Sequence, residues 1–411
     1  MSLHSPIFSI LIITYNRHEM LRECLQSILE QTFGDYEVFV IDRGSKPSAE
    51  VVITELNDKR FHYIPSSQDI HIADGGNDVI KDINGKYFIH VSDDDLIMKN
   101  DLELANIAFE QNSDCDIVQT GLVTYDGSIE YQRVDDVGVS FWNSGTFGSP
   151  LFIKYDGKKL AKHTWATSGI GDNINYEPCA YPHPTGMFIR KTAIDKVFER
   201  QGGLFLKTFI DAGYHSIAYQ TNILYINIPL GIFRVNHAGR ASGAGRLRWA
   251  CEIKNFEYTP LKNVATFWNC SIDASMKCIY RNGIDKKYNT YLRYDFFVGQ
   301  LQDILKDKPK TLQTFKDAKT VLYYLIQSAL KNPLYVLKWH TKDLVELIKN
   351  PLKFDKLVIQ PIRQKIKENC HKHIDYSKNH KYGHFKSILD YKVFLENKFQ
   401  NEANDSVKGS Y

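Results

Sequence analysis

The sequence predicts an α/β fold, a mostly parallel sheet flanked by helices, followed by a mostly α-helical C-terminal region. Three observations lead there. Apolar, β-branched runs alternate with stretches of helical period over the first hundred residues. The middle of the chain turns to short strand-like runs among long loops bearing Gly, Asn and Pro. Beyond about residue 245 helical patterns take over, punctuated by Pro309, Pro333, Pro351 and Pro361.

The elements follow in order. Residues 8–13 (FSILII) form a continuous apolar run, as in a strand buried on both faces. Met20, Leu21, Cys24, Leu25, Ile28 and Leu29 then recur at helical spacing, and Gly34-Asp35 ends that helix. A second strand is expected at 36–41, a short helix at 49–56 and a third strand at 61–64. A helix at 77–83 stops at Asn84-Gly85, a fourth strand occupies 87–91, and a further helix spans 101–111. Strand and helix alternating in this way imply right-handed crossovers with helices on both faces of the sheet. Shorter strands are expected at 117–120, 187–189 and 223–226. The stretch 142–184 has little periodicity and reads as a loop lining a site or forming a lid. The resulting division is a sheet domain over 1–243, a helical basic region over 244–401 and a frayed tail over 402–411.

Composition limits the function classes. The chain has 411 residues, 43% hydrophobic and 24% charged, which is globular and excludes wholesale disorder. No run approaches the ~18 uncharged apolar residues of a membrane span, and residues 8–13 lack the basic flank and cleavage site of a signal peptide. Seven cysteines, an odd number without a CxxC pair, point to a reducing compartment and away from a cysteine zinc site. The net charge of +3 conceals an asymmetry: from residue 301 onward 21 Lys+Arg face 12 Asp+Glu, leaving 30 against 36 in the first 300.

In an open parallel sheet, ligands bind beyond the carboxyl ends of the strands. The residues there are Thr14-Tyr15-Asn16-Arg17, Asp42-Arg43-Gly44-Ser45 and Ser92-Asp93-Asp94-Asp95. A ring can stack on a base, a lone carboxylate can accept from a base N–H or a ribose hydroxyl, and a carboxylate cluster can hold a hard divalent ion against a diphosphate. Three adjacent acids at a buried strand end repel one another unless a cation or water neutralises them.

These segments resemble a family 2 glycosyltransferase of the GT-A fold over the N-terminal ~240 residues. The resemblance rests on FSILIITYNR, the helix ending LEQTF, EVFVID with its following GS, GKYFIHVSDDD, PTGMFIRK and PLGIFRVNHAGRAS. It implies a Rossmann-like nucleotide-binding half, with Thr14, Tyr15, Asn16, Asp42, Arg43 and Asp93 at a nucleotide-diphosphate-sugar donor. It further implies Asp94 as the metal-binding acid of the DxD element, Asp95 beside it, and His237 of the RxxH segment at the diphosphate or the ion. The ion would be Mg²⁺ or Mn²⁺, and the reaction an inverting transfer to a hydroxyl of a glycan or lipid-linked acceptor in surface polysaccharide assembly.

The sequence also departs from the family pattern. Arg43 stands where a second acid is usual; it cannot accept from a uracil N–H, and alternatively it reaches the phosphates. Ser92 replaces the first acid of DxD, and Gly76-Asn77 stand where the family often has Arg-Asn. Counting back from Gly213-Tyr214, the catalytic Asp should fall near Gly202, where there is no acid. Glu199, Asp172 and Glu177 are the alternatives as general base, and Asp211 is expected to face solvent.

The basic half interleaves lysines with aromatic and aliphatic residues over 321–367. This suits helices at an anionic bilayer surface, or helices whose apolar faces pack on the sheet domain. A nucleic-acid module is not recognisable, and Cys370-His371-Lys372-His373 reads as surface. The expectation is an enzyme at the cytoplasmic face, in peripheral contact with the inner membrane surface. Two rivals stand: a degenerate GT-A module that binds glycan or a partner without turnover, and a sugar nucleotidyltransferase, against which TYNR replaces a Gly-rich phosphate loop.

Overall fold

A computed structural model describes residues 5–133, 150–167, 169–171, 184–235, 255–288, 290–307, 312–331 and 382–408. Asp172, Glu177, His237, the 371–373 cluster and residues 332–367 of the basic half lie outside the described residues.

The alternation read from the sequence produces the expected sheet. Strands β1 (Phe8–Thr14), β2 (Tyr36–Asp42), β3 (Phe61–Pro65) and β4 (Tyr87–His90) alternate with helices α1 (His18–Leu29), α2 (Glu50–Leu56) and α3 (Ile72–Asp82). Next come β5 (Leu96–Ile97), α4 (Asp101–Gln111), β6 (Cys115–Asp126), β7 (Tyr131–Arg133), β8 (Phe152–Asp156), α5 (Gly157–Thr167), β9 (Met187–Arg190), α6 (Lys191–Gln201), α7 (Gly213–Ala218) and β10 (Asn222–Val235). The sheet order is β3-β2-β1-β4-β9-β6-β10-β5, with β8 also on β10. β1, β2, β3 and β4 are parallel neighbours, β9 runs antiparallel between β4 and β6, and β6 and β10 are parallel.

Period-two alternation divides the core between the two faces of this sheet. Phe8, Ile10 and Ile12 of β1, with Val38 and Val40 of β2, pack against Leu21, Cys24, Leu25 and Ile28 of α1. Leu11, Ile41 and Phe88 point the other way, toward Ala73 and Ile80 of α3 and Ile194 and Val197 of α6.

The chain forms two compact units. One is Met1–Ala161 with Pro178–Arg240 and Asn379–Tyr411; the other is Lys162–Glu177 with Ala241–Lys378. The C-terminus therefore departs from the expected division. β11 (Tyr382–His384) pairs antiparallel with β7, and a final helix covers Ile388–Lys408, so helix continues past residue 402. Ile388, Tyr391, Leu395 and Phe399 on that helix join the core of the first unit. Its Lys392, 1% exposed, donates to Glu30 at 2.7 Å and pairs with Glu396 at 2.8 Å. Glu396 also accepts the backbone N–H of Lys99 at 2.8 Å. A lysine stem can lie among apolar side chains provided its ammonium finds carboxylates, and Lys392 in this way fastens the last helix.

The second unit is helical, as expected. It contains Phe267–Arg281, Tyr294–Asp307 and Leu312–Lys331, which we number α8, α9 and α10, and the closing helix Ile388–Lys408 is α11. Thr266 caps α8 by accepting from Asn269 N–H at 3.0 Å. Among the described residues no helix is long and apolar enough to cross a membrane.

Candidate active site

Register brings the ends of the parallel strands level. Thr14 lies beside Asp42, Arg43 N–H donates to Thr14 C=O at 3.0 Å, and Ser66 N–H donates to Asp42 C=O at 2.8 Å. Val91 N–H donates to Leu11 C=O at 3.0 Å, which places Ser92 and Asp93 at the same rim. Thr14 Oγ1 then donates to Asp93 Oδ2 at 2.8 Å. Segments far apart in sequence thus meet along one edge.

Asp42 braces this rim. It is 1% exposed, and its carboxylate accepts from Ser45 N–H at 2.8 Å, Ala49 N–H at 2.8 Å and Tyr63 Oη at 3.3 Å. Burial opposes its charge, but the hydrogen bonds from Ser45, Ala49 and Tyr63 hold its pKa below the usual value. The Asp42 side chain, expected at the nucleoside, shapes the loop after β2 through these three hydrogen bonds. Asn16, at φ 53°, ties the loop after β1 to it, accepting from Lys46 N–H at 2.8 Å. Arg43 donates to the carbonyls of Gln68 at 3.2 Å and Ile70 at 3.1 Å, joining the loop after β3. Tyr15, 43% exposed, stands open at the rim.

Protein groups surround the three acids. Arg17 Nη1 lies 2.8 Å from Asp93 Oδ1 and 3.2 Å from Asp94 Oδ2. Burial pushes Asp93 up to about 6, against the pull of Arg17. Asp95 is fully buried, accepting from Thr185 Oγ1 at 2.6 Å and Arg234 N–H at 3.0 Å; burial and then Asp94 push its pKa well up. Asp95, expected beside the ion, is held by Thr185 and the Arg234 backbone. Of the three acids, Asp94 has the most exposed side chain, at 12%. Arg234, whose guanidinium bonds Asp94 C=O at 2.9 Å and pairs with Glu23, holds the loop from behind. Among the described residues no three His, Cys, Asp or Glu side chains converge as a wholly protein-built metal centre requires.

Across the rim lies the segment between α6 and β10. Asn77 clamps it: its Nδ2 donates to Phe205 C=O at 2.8 Å, and its Oδ1 accepts from Phe205 N–H at 2.9 Å. A Cβ on Gly76 would come 2.5 Å from the Phe205 ring, so the small residue that replaces the family's arginine makes room for that ring. Phe205 packs on His90, ring centroids 5.2 Å apart, and on Tyr214 at 6.2 Å. Tyr214 Oη lies 3.5 Å from His90 Nδ1, two residues before Ser92.

One turn before Tyr214 sits Asp211, in the short 3-10 turn Ile210–Ala212 that leads into α7. It is partly exposed, and burial pushes its carboxyl up to about 6. Among the described residues no donor reaches it. Asp211, expected to face solvent, is thus only partly open to it. The count from Gly213-Tyr214 finds no acid; Gly213 opens α7, and β10 begins at Asn222. The same step counted back from Asn222 lands on Asp211. Glu199, by contrast, is exposed on α6, whose inward face is Ala193, Ile194, Val197 and Gln201.

The model described as Glycosyl transferase family 2 matches residues 9–198 of the chain. An uncharacterized glycosyltransferase of Rickettsia prowazekii (strain Madrid E) is 33% identical over 107 residues, 25% of this chain and 31% of that protein. Glycosyltransferase GlyG of Streptococcus pneumoniae serotype 4 is 24% identical over 319 residues, 77% of this chain and 98% of that protein. Residues 1–349 of S. aureus TarS, solved in complex with UDP-GlcNAc, align over 96% of this chain and 92% of that one, at 15% identity and a TM-score of 0.42. The chain spans a third or less of the length of the first curated relatives it matches. The mixed, mostly parallel sheet with flanking helices is the GT-A fold, followed by helices.

Proposed function

We propose that the protein transfers a sugar from a nucleotide-diphosphate donor to a hydroxyl of a glycan or lipid-linked acceptor, with inversion. The carrying observation is the rim at the carboxyl ends of parallel strands, where an open aromatic ring and the acids Asp93 and Asp94 meet, with Asp211, a half-buried carboxylate of raised pKa, on the segment across from it. Tyr15 lies against the nucleoside, on the loop that Asp42 and Asn16 hold in shape. Arg43, fixed to the loop after β3, lines the pocket of the base.

Asp94 fits a divalent ion of the Mg²⁺ or Mn²⁺ kind. Such ions are commonly held by one or two carboxylates, with water and substrate phosphates supplying the remaining ligands, and Asp94 offers one carboxylate at the cleft. When bound, the ion supplies positive charge to the leaving diphosphate. Asp211 takes the proton from the acceptor hydroxyl as its oxygen bonds to the anomeric carbon, and the bond from that carbon to the diphosphate oxygen breaks. A carboxyl lifted to about 6 is a stronger base than an ordinary aspartate and is still ionised at neutral pH. A half-buried acid at this place supports turnover over the reading of the domain as a module that binds without it.

Peripheral contact with an anionic membrane belongs to the same proposal. Helix α10 buries Thr314, Asp317, Val321 and Leu325. Its opposite side exposes Leu312, Phe315, Leu322, Tyr323, Ile326 and Leu330 beside Lys316 and Lys319. Its one acid, Asp317, is on the buried side, so the outer face offers apolar side chains and positive charge together. The test of the activity is turnover of a panel of nucleotide sugars with Mn²⁺. Release of nucleoside diphosphate from one donor supports the proposal, and no turnover of any donor with no Mn²⁺-dependent nucleotide binding contradicts it.

A further inference from the structure

We propose that Arg17 is the resident counter-cation of the Asp93–Asp94 pair and that an incoming divalent ion must displace it. The inference rests on the reading of Asp94 as the ion's ligand and adds a residue that no part of that reading uses.

A single nitrogen of the guanidinium bridges the two acids, 2.8 Å from Asp93 Oδ1 and 3.2 Å from Asp94 Oδ2. It therefore stands between the carboxylates, where their two negative fields add. The other oxygen of Asp93 is committed to Thr14 Oγ1, and Asp95 faces Thr185 and the Arg234 backbone, so these acids are already oriented by the scaffold. The Arg17 contact instead joins Asp94 to a long, flexible side chain at the open side, for Arg17 is 22% exposed. A metal–oxygen bond is about 2.0–2.2 Å for Mg²⁺ or Mn²⁺. An ion at that distance from Asp94 would sit against the guanidinium, and two cations repel strongly in a partly desolvated cleft. Arg17 must then leave Asp94.

The displaced guanidinium emerges beside Tyr15 and Asn16, on the rim where a diphosphate would lie, and a planar fork of donors suits phosphate oxygens. The ion and the donor phosphates consequently help each other: the ion frees Arg17, and the phosphates receive it. By linkage the coupling is reciprocal. Arg17 offsets one of the two negative charges of the acid pair without an ion, at the cost of weaker affinity for the ion alone.

The test measures Mn²⁺ alone, by the electron paramagnetic resonance signal of the free ion, in wild type, Arg17→Gln, Arg17→Lys and Asp94→Asn, with melting curves to certify folding. Arg17→Gln is expected to bind Mn²⁺ at least tenfold more tightly than wild type. Arg17→Lys, which keeps a charge but not a fork spanning both acids, is expected in between, and it carries the test if Arg17→Gln does not fold. Asp94→Asn should lose the ion. Mn²⁺ affinity unchanged or lowered in both Arg17 variants, with binding still abolished in Asp94→Asn, overturns the displacement while leaving the ion at Asp94. Binding unaffected by Asp94→Asn, or absent throughout, overturns the reading of Asp94 and the displacement with it.

Discussion

Replacing Asp211 with Asn separates catalysis from folding in one substitution. The change keeps the size of the side chain and removes the base, and general-base catalysis by a positioned side chain contributes roughly 10²–10⁴-fold. Turnover of the best donor should fall by that amount while Mn²⁺-dependent nucleotide affinity stays within about twofold. The pH dependence follows from the raised pKa of about 6. At pH 5 about a tenth of a group with that pKa is ionised and at pH 8 nearly all of it, so kcat/KM of the wild type should climb about tenfold across that interval. Stability moves the other way. A carboxyl whose pKa is raised from 3.8 in the unfolded chain to about 6 in the folded one contributes most below 3.8, and that contribution is lost as pH rises through 6. Asp211→Asn should therefore melt above wild type at pH 8, and the gap should close toward pH 4. Steady-state kinetics from pH 5 to 8 beside melting curves give both readouts. More than a tenth of wild-type turnover in the folded variant, or a wild-type profile flat across this range, would refute Asp211 as the base.

Two further outcomes follow from the same structure. Lys392→Ala removes the cation that Glu396 and Glu30 share; breaking a buried pair costs about 3–5 kcal/mol, and the 44% exposure of Glu30 favours the lower end. At roughly 2–4 °C per kcal/mol for a unit of this size, calorimetry should show a melting temperature lower by about 6–12 °C, and a loss under 2 °C would exclude Lys392 as the fastening of α11. In α10, Leu322→Ser with Ile326→Ser should reduce sedimentation with vesicles containing anionic lipid while leaving donor turnover unchanged; equal sedimentation of variant and wild type would count against the membrane face.

Much of the fold is legible in the sequence because strong periodicity and buried strand ends leave distinct traces. β1, β2 and β4 stand out as apolar runs, and the DDD segment falls at the rim where the alternation puts it. β10 does not show its full length. Asn222, Pro229 and Gly231 look like breaks, whereas in the sheet they coincide with shifts of register against β6 that a long strand absorbs. Gly213-Tyr214, the mark from which the base is counted in the sequence, lies in α7, nine residues before β10 begins at Asn222. The roles of Asp42 and Asp95 depend on hydrogen bonds to Ser45, Ala49, Tyr63, Thr185 and Arg234, contacts that no spacing encodes. The docking of α11 is hidden for a related reason: a lysine flanked by apolar residues looks like surface until its two glutamates are seen.

Calorimetric titration of nucleoside diphosphates into the intact protein, with and without Mn²⁺, tests the account most directly when wild type is set beside Asp94→Asn. The account predicts that Mn²⁺ strengthens nucleotide binding to the wild type and that the variant, with an unchanged melting temperature, loses this increment. Identical Mn²⁺-dependent affinities in the two proteins would contradict it.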